Sequence, residues 1–161
     1  MEKYIDCDGV ILNTESIIIG LYGSCKNKSN FYRDVDWIWV LNNCSIINNS
    51  IDLLKEYYSD NIHILTRVYS GNEMKAKTEY FRDNGVRNDI IFVQNNYKKC
   101  DVVDAFGNIL VDDTLYNLHS WYNKGGIPIG FYKTYPGYGR IECLEDVFNE
   151  RKLDKVLKKI K

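Results

Sequence analysis

The 161-residue sequence predicts an α/β fold, a parallel sheet with helices on both faces and a small helical insertion after the first strand. Three observations carry this. Short apolar runs alternate with stretches of helical period, the pattern that builds a parallel sheet covered on both sides. Some runs, such as Ile109-Leu110-Val111, are apolar without a break, as strands buried on both faces are. Polar residues suited to chemistry stand where runs stop, and ligands of such sheets bind beyond the carboxyl ends of the strands.

In chain order, Lys3-Tyr4-Ile5-Asp6-Cys7 reads as the first strand, with a turn at Gly9 and apolar character resuming at Val10-Ile11-Leu12. Residues 13–49 are irregular. They hold helical pieces at 15–22 and 35–41, a polar break at Lys26-Asn27-Lys28-Ser29-Asn30, and aromatics at Phe31, Tyr32, Trp37 and Trp39. This stretch is the expected insertion, a small cap; residues 1–12 together with 50–161 are the expected core domain. Apolar residues at 51, 53, 54, 57 and 58 predict a helix over 50–58, and a strand follows at 61–66. A helix over 72–84 is closed by Gly85, a favourable C-cap, and leads to a strand at 89–94. A short helix at 99–106 precedes the strand 109–111, which ends at Asp112-Asp113. The helix 114–123 stops at Gly125-Gly126, and 127–132 is the expected last strand. Residues 144–160 are amphipathic and read as one final helix, with Leu144, Val147, Phe148, Leu153, Val156, Leu157 and Ile160 on one side.

Composition excludes several classes. With 21 basic and 22 acidic residues the net charge is −1, so no global field draws the chain to nucleic acid or anionic membrane. Nucleic acid is therefore not an expected partner, and no oligomeric state follows from the sequence. Forty-five per cent hydrophobic and 27% charged residues suit a globular chain rather than a disordered one. The longest apolar runs fall far short of the roughly 20 residues of a membrane span, and the N-terminus lacks the apolar stretch of a signal peptide, so a cytoplasmic location is expected. Cys7, Cys25, Cys44, Cys100 and Cys143 are odd in number, scattered and without a C-x-x-C pair, which favours free thiols over disulfides or zinc.

The strand ends carry the chemistry. Asp6 and Asp8 are two apart, so extended geometry aims both carboxylates to one side. Like charges that close need a bridging cation or a retained proton, and both solutions serve catalysis. Asp112 and Asp113 form a second acidic pair at another strand end, and Asp6, Asp8, Asp112 and Asp113 together offer the oxygen ligands Mg²⁺ prefers. Thr66 supplies a hydroxyl with Arg67 beside it, and Lys99 stands at a helix start, where an ammonium and backbone N–H groups both face an anion. Carboxylates, hydroxyl, lysine and magnesium together make a phosphoryl-transfer site.

In these four segments the sequence resembles the haloacid dehalogenase-like (HAD) phosphohydrolases, whose motifs look like Asp6-Cys7-Asp8-Gly9-Val10, Ile64-Leu65-Thr66, Lys99 and Ile109-Leu110-Val111-Asp112-Asp113 in the same order. The motifs span nearly the whole chain. The resemblance implies a Rossmann-like core in which Asp6 is the nucleophile that forms an aspartyl-phosphate and Asp8 is the general acid and base. It implies that Thr66 and Lys99 meet phosphoryl oxygens, with Lys98 as the neighbouring alternative to Lys99; Arg67, next to Thr66, is expected to bind phosphate as well. It implies Mg²⁺ held by the Asp6 carboxylate, the Asp8 backbone carbonyl and Asp112, with Asp113 as a further ligand or just behind. The insertion after the first motif looks closest to the 5′-nucleotidase and deoxyribonucleotidase branch, which implies a small phosphomonoester substrate such as a nucleotide. Tyr32, Trp37 and Trp39 could stack on a base and Arg33 could meet a phosphate or sugar; they could equally be the insertion's own core.

Other residues have plainer readings. Lys75 and Lys77 are expected to face water from the helix 72–84, and Ser70 to cap that helix. His63 and His119 are expected to be structural. Arg151, Lys152, Lys155, Lys158, Lys159 and Lys161 lie opposite the final apolar stripe and read as a solvated face. Three rival functions remain: a polynucleotide 3′-end phosphatase, disfavoured by the net charge of −1, since tracking a nucleic-acid backbone needs a basic groove; a phospho-accepting signalling module, disfavoured by motif order; and a silent binding protein.

Overall fold

The computed structural model describes residues 1–22 and 28–160, the side chains at 28 and 29 apart. Cys25, Lys161 and the residues 26 and 27 of the expected polar break lie outside the described residues.

Strands β1 (Lys3–Ile5), β4 (Ile62–Val68), β5 (Ile90–Gln94), β6 (Ile109–Asp112), β7 (Ile127–Phe131) and β8 (Gly139–Ile141) form one sheet in the order β5-β4-β1-β6-β7-β8. Every pairing in it is parallel, with Ile5 facing both Ile64 and Val111 across the register. The chain builds outward from β1 to one side through β4 and β5, then crosses to the other side at β6. β1 is thus the switch point of the strand order, where such sheets open a crevice for ligands. β2 (Leu12–Asn13) and β3 (Ser45–Ile46) form a separate antiparallel ribbon.

The helices are α1 (Thr14–Tyr22), α2 (Lys28–Asp34), α3 (Trp37–Asn43), α4 (Ser50–Glu56), α5 (Gly71–Asp83), α6 (Lys99–Val102), α7 (Leu115–Tyr122), α8 (Glu145–Phe148) and α9 (Glu150–Leu157). The β2–β3 ribbon draws together the two ends of the segment that carries α1–α3. Trp37, Val40 and Leu41 of α3 are buried in the same cluster as Ile5, Ile64 and Phe81, so this segment packs into the main core. Tyr4, Leu65, Leu110, Leu118 and Trp121 form a second cluster on the other sheet face.

The parallel sheet with helices is the fold the sequence predicts, and the differences have local causes. β8 follows the strand at 127–131, which is therefore not the last; at three residues, joined to β7 without a helix, it gives no periodic signal. The final amphipathic stretch is two helices rather than one. Asn149 breaks it, leaving helical geometry at φ −82°, ψ 114° and capping α9 through its side chain to the amides of Arg151 and Lys152. α6 ends at Val102, short of the expected 106, and α2 begins at Lys28 within the expected polar break. Among the described residues no helix is long and apolar enough to cross a membrane, and Cys7, Cys44, Cys100 and Cys143 are free thiols. Arg151, Lys155, Lys158 and Lys159 are exposed, as a solvated face requires.

Candidate active site

β1 stops at Ile5, and the next residues turn sharply: the Leu12 amide donates to the Cys7 carbonyl at 3.0 Å and the Gly9 amide to the Leu12 carbonyl at 2.8 Å. Gly9 has φ +80°, and a Cβ there would stand 2.7 Å from Asp113 Oδ2, so the turn needs a residue without a side chain. The turn delivers Asp6 and Asp8 to a cleft of about 260 Å³ over the carboxyl ends of β1, β4 and β6. Of the sequence-predicted residues, Asp6, Asp8, Arg67, Lys99, Asp113, Tyr32 and Trp37 line it.

Each of the two leading aspartates has its own lysine. Lys99, fully buried, places Nζ 2.6 Å from Asp6 Oδ1 and 2.7 Å from Asp112 Oδ2. Asp112 is itself buried and accepts from the Thr114 amide at 2.8 Å and from Asn117 Nδ2 at 2.9 Å. Lys98, the alternative, is exposed and sits 5.9 Å from the Tyr116 ring. Burial pushes the Asp6 carboxyl up to about 8; Lys99 pulls against this, and the neighbouring Asp112 and Asp8 charges add to it. Burial works against the Lys99 charge, but Asp112 and Asp6 more than offset it, so the ammonium is held charged.

Asp8 faces a different set. Its Oδ1 accepts from the Thr14 hydroxyl at 2.7 Å, and its Oδ2 lies 2.7 Å from Lys77 Nζ and 3.4 Å from the Thr66 hydroxyl. Burial pushes this carboxyl up, but Lys77 and the Thr14 bond outweigh it and hold Asp8 below the usual carboxylate range. Lys77 corrects the sequence expectation, since it is fully buried and does not face water. Its charge is sustained by Asp8 and by Glu73 one turn earlier on α5, 2.8 Å away. Lys75, by contrast, is exposed as expected, and Ser70 caps α5 by accepting from the Glu73 amide.

Three carboxylates, Asp6, Asp112 and Asp113, bring one oxygen each within 4.8 Å of one another. Hard oxygen donors at this spacing fit Mg²⁺. Asp113 is partly buried, with Lys133 at 3.3 Å and the Thr114 hydroxyl at 3.2 Å. Burial and Asp112 raise its pKa against the pull of Lys133, as expected of a carboxylate among others and short of cationic charge.

Arg67 bonds weakly, through Nη2 at 3.4 Å, to the Tyr97 carbonyl and to Asn117 Oδ1, and its buried Nε has no partner among the described residues. On the other wall Tyr32 stacks on Tyr69 with ring centres 4.6 Å apart, and Trp37 lies over Lys77 at 5.3 Å. Two expected residues are elsewhere. Arg33 is exposed and forks onto the neighbouring Asp34 at 2.7 and 2.9 Å, away from the cleft wall, because its helix turns that face to solvent. Trp39 is 47% exposed and outside the cleft. His63 bridges to Glu2 at 2.9 Å under the Tyr4 ring, and His119 meets the Tyr138 hydroxyl at 3.0 Å, both remote from the cleft wall.

Sequence reading missed Thr14, Glu73, Lys77 and Asn117. One signal was available: Glu73, Ala76, Lys77, Tyr80 and Phe81 share a helical stripe, and charged residues on an apolar face ask for buried partners. Thr14 and Asn117 give no comparable signal.

No family model matches this chain, and no curated protein sequence does. Solved structures share its fold. A HAD hydrolase of family IA, variant 3, from Entamoeba histolytica HM-1:IMSS superposes with a TM-score of 0.64 at 16% identity, covering 98% of this chain and 100% of that one. A subfamily IA, variant 1 HAD-superfamily hydrolase from Geobacter sulfurreducens PCA gives 0.60 at 13% identity, covering 92% and 98%. The D,D-heptose 1,7-bisphosphate phosphatase from Burkholderia thailandensis gives 0.55 at 12%, covering 96% and 98%. The chain therefore has the Rossmann-like HAD fold. None of the three is a nucleotidase by name, so the finer likeness to that branch draws no support from them.

Proposed function

We propose that this protein is a Mg²⁺-dependent phosphatase that hydrolyses a small phosphomonoester through an aspartyl-phosphate on Asp6. The observation that carries the reading is the placement of Asp6, at the switch point of the sheet, against Lys99 and within reach of Asp112 and Asp113. A carboxylate nucleophile splits one difficult displacement into two easier ones. In the first, an Asp6 carboxylate oxygen bonds to phosphorus and the ester P–O bond breaks; Asp8, ionised beside Lys77 in the free protein, takes the proton of the phosphomonoester monoanion and passes it to the leaving oxygen. In the second, water attacks phosphorus and gives its proton to the Asp8 carboxylate. The P–O bond to Asp6 breaks, the electron pair returns to that carboxylate, and phosphate leaves.

Asp6, Asp112 and the Asp8 backbone carbonyl would hold Mg²⁺, with Asp113 beside them; when bound, the ion neutralises charge on the phosphoryl oxygens. Lys99 donates to two carboxylates and has a third N–H left for a phosphoryl oxygen. Arg67, which has no carboxylate within ion-pair distance among the described residues, offers the cleft a further cation, and the Thr66 hydroxyl a further donor. Residues 13–49 act as the cap: Tyr32 and Trp37 of this segment form one wall of the cleft. Their rings suit a nucleotide base. A sugar phosphate is the second reading, favoured by the heptose bisphosphate phosphatase among proteins of this fold.

The test is phosphate release, with Mg²⁺ or with chelator, from nucleotides, sugar phosphates and a 3′-phosphorylated oligonucleotide. Turnover by the wild type that chelation and Asp6→Asn both abolish is expected, and the best substrate selects between base and sugar. Turnover that survives Asp6→Asn would refute the aspartyl mechanism.

A further inference from the structure

Lys77 is a buried charged group beside the cleft that the proposed chemistry leaves without a task. Its side chain is fully buried, and taking an ammonium out of water is costly unless every N–H finds an acceptor. Four acceptors are within reach: Asp8 Oδ2 at 2.7 Å, Glu73 Oε1 at 2.8 Å, Thr66 Oγ1 at 3.0 Å and, more weakly, the Arg67 carbonyl at 3.4 Å. An ammonium has three donors, so Lys77 is saturated and has none to give a phosphoryl oxygen. This separates it from Lys99, whose two carboxylates leave one N–H over.

The partners of Lys77 are fixed in turn. Glu73 is buried, and its second oxygen accepts from the Tyr69 amide at 2.8 Å. Asp8 is tied at both oxygens, by Thr14 on one and Lys77 on the other. Oδ2 also lies 3.4 Å from the Thr66 hydroxyl, whereas Oδ1 has room for a bond beside that of Thr14, so Asp8 can still take a proton from a water in the cleft.

We propose that Lys77, anchored by Glu73, is a positioning residue that holds the Asp8 carboxylate in the orientation from which it accepts the proton of the attacking water. The proposal rests on the aspartyl-phosphate reading. It concerns the second step, in which the water oxygen bonds to phosphorus, the water proton passes to Asp8, and the P–O bond to Asp6 breaks. The first step is nearly independent of Asp8 when the leaving group is a good one, since p-nitrophenolate departs without a proton.

The experiment is rapid-mixing kinetics with p-nitrophenyl phosphate and Mg²⁺. In Lys77→Met, one p-nitrophenol per active site is expected in a burst at close to the wild-type rate, followed by a steady state about 10- to 100-fold slower, part of the gain a positioned base supplies. In an Asp8→Asn background the same substitution should cost nothing further in steady-state rate. Circular dichroism and a melting curve check folding. If Lys77→Met does not fold, Glu73→Gln, which keeps the shape and removes the anchoring charge, should show the same pattern with a smaller loss. A steady-state rate within twofold of wild type in the folded variant would overturn the proposal. So would burst and steady state falling together, the signature of a merely structural role. A wild type that leaves p-nitrophenyl phosphate intact, or an active Asp6→Asn, would instead sink the aspartyl-phosphate reading and this proposal with it.

Discussion

Substituting Gly9 by alanine tests the turn that brings the site together. Two separable costs follow from the geometry. Gly9 has φ +80°, and holding a residue with a side chain in left-handed conformation costs about 1–2 kcal/mol. The added Cβ would also stand 2.7 Å from Asp113 Oδ2 and 2.9 Å from its Cγ, closer than real Cβ contacts, so Asp113 must swing away. Asp113 is held by Lys133 and Thr114, and displacing it adds on the order of 1 kcal/mol, a typical coupling between residues in contact. The sum, about 2–3 kcal/mol, should lower the melting temperature by about 5–10 °C in a chain of this size. Urea unfolding in chelator, read by circular dichroism, measures the loss. In an Asp113→Ala background the collision is gone and only the backbone cost remains, so Gly9→Ala should be about 1 kcal/mol milder there. Equal losses in both backgrounds would refute the close approach of this turn to Asp113.

Adding Mg²⁺ to metal-free protein should raise its stability by RT ln(1 + [Mg²⁺]/Kd), about 2.7 kcal/mol at a hundredfold excess over Kd, and the rise should shrink in Asp113→Asn. A melting temperature indifferent to Mg²⁺ would argue against the carboxylate cluster as a metal site. Burial pushes the Cys44 thiol up to about 11, with the charge of Asp8 adding to it, and its Sγ–H donates to the Leu41 carbonyl. The reactive thiolate is the deprotonated form, so at pH 8 only about one Cys44 in a thousand is reactive, and labelling should accelerate as pH rises toward 11. Peptide mass spectrometry after brief alkylation at pH 8 should find Cys44 unmodified; rapid modification there would contradict the raised pKa of this partly buried thiol.

Much of the molecule was legible from the chain alone, because its main signals are local. An apolar run that stops at an acid reads the same in any context, and two such stops placed Asp6 and Asp112 where strands end; Lys99 was legible as a helix start, while Thr66 stands inside β4, two residues before its end. The alternation of strand and helix then implied the sheet, since few arrangements bury such elements. Where a local feature was weak the reading slipped. β8 is three residues long, and one asparagine splits an otherwise continuous amphipathic stripe at residue 149.

Which side chains share a charge was decided only by tertiary structure. Periodicity alone does not say that α5 turns Glu73 and Lys77 inward at the point where the turn after β1 brings Asp8, because a helix face becomes buried only through what packs on it. The same holds for Arg33, which meets its own neighbour Asp34 rather than the cleft, and for Asn117 beneath Asp112. The sequence determined which chemical groups are present and at which ends of the strands they stand. The packing decided that each aspartate of the leading pair receives a separate lysine, because a buried carboxylate is tolerated only where the fold supplies a countercharge within hydrogen-bond distance.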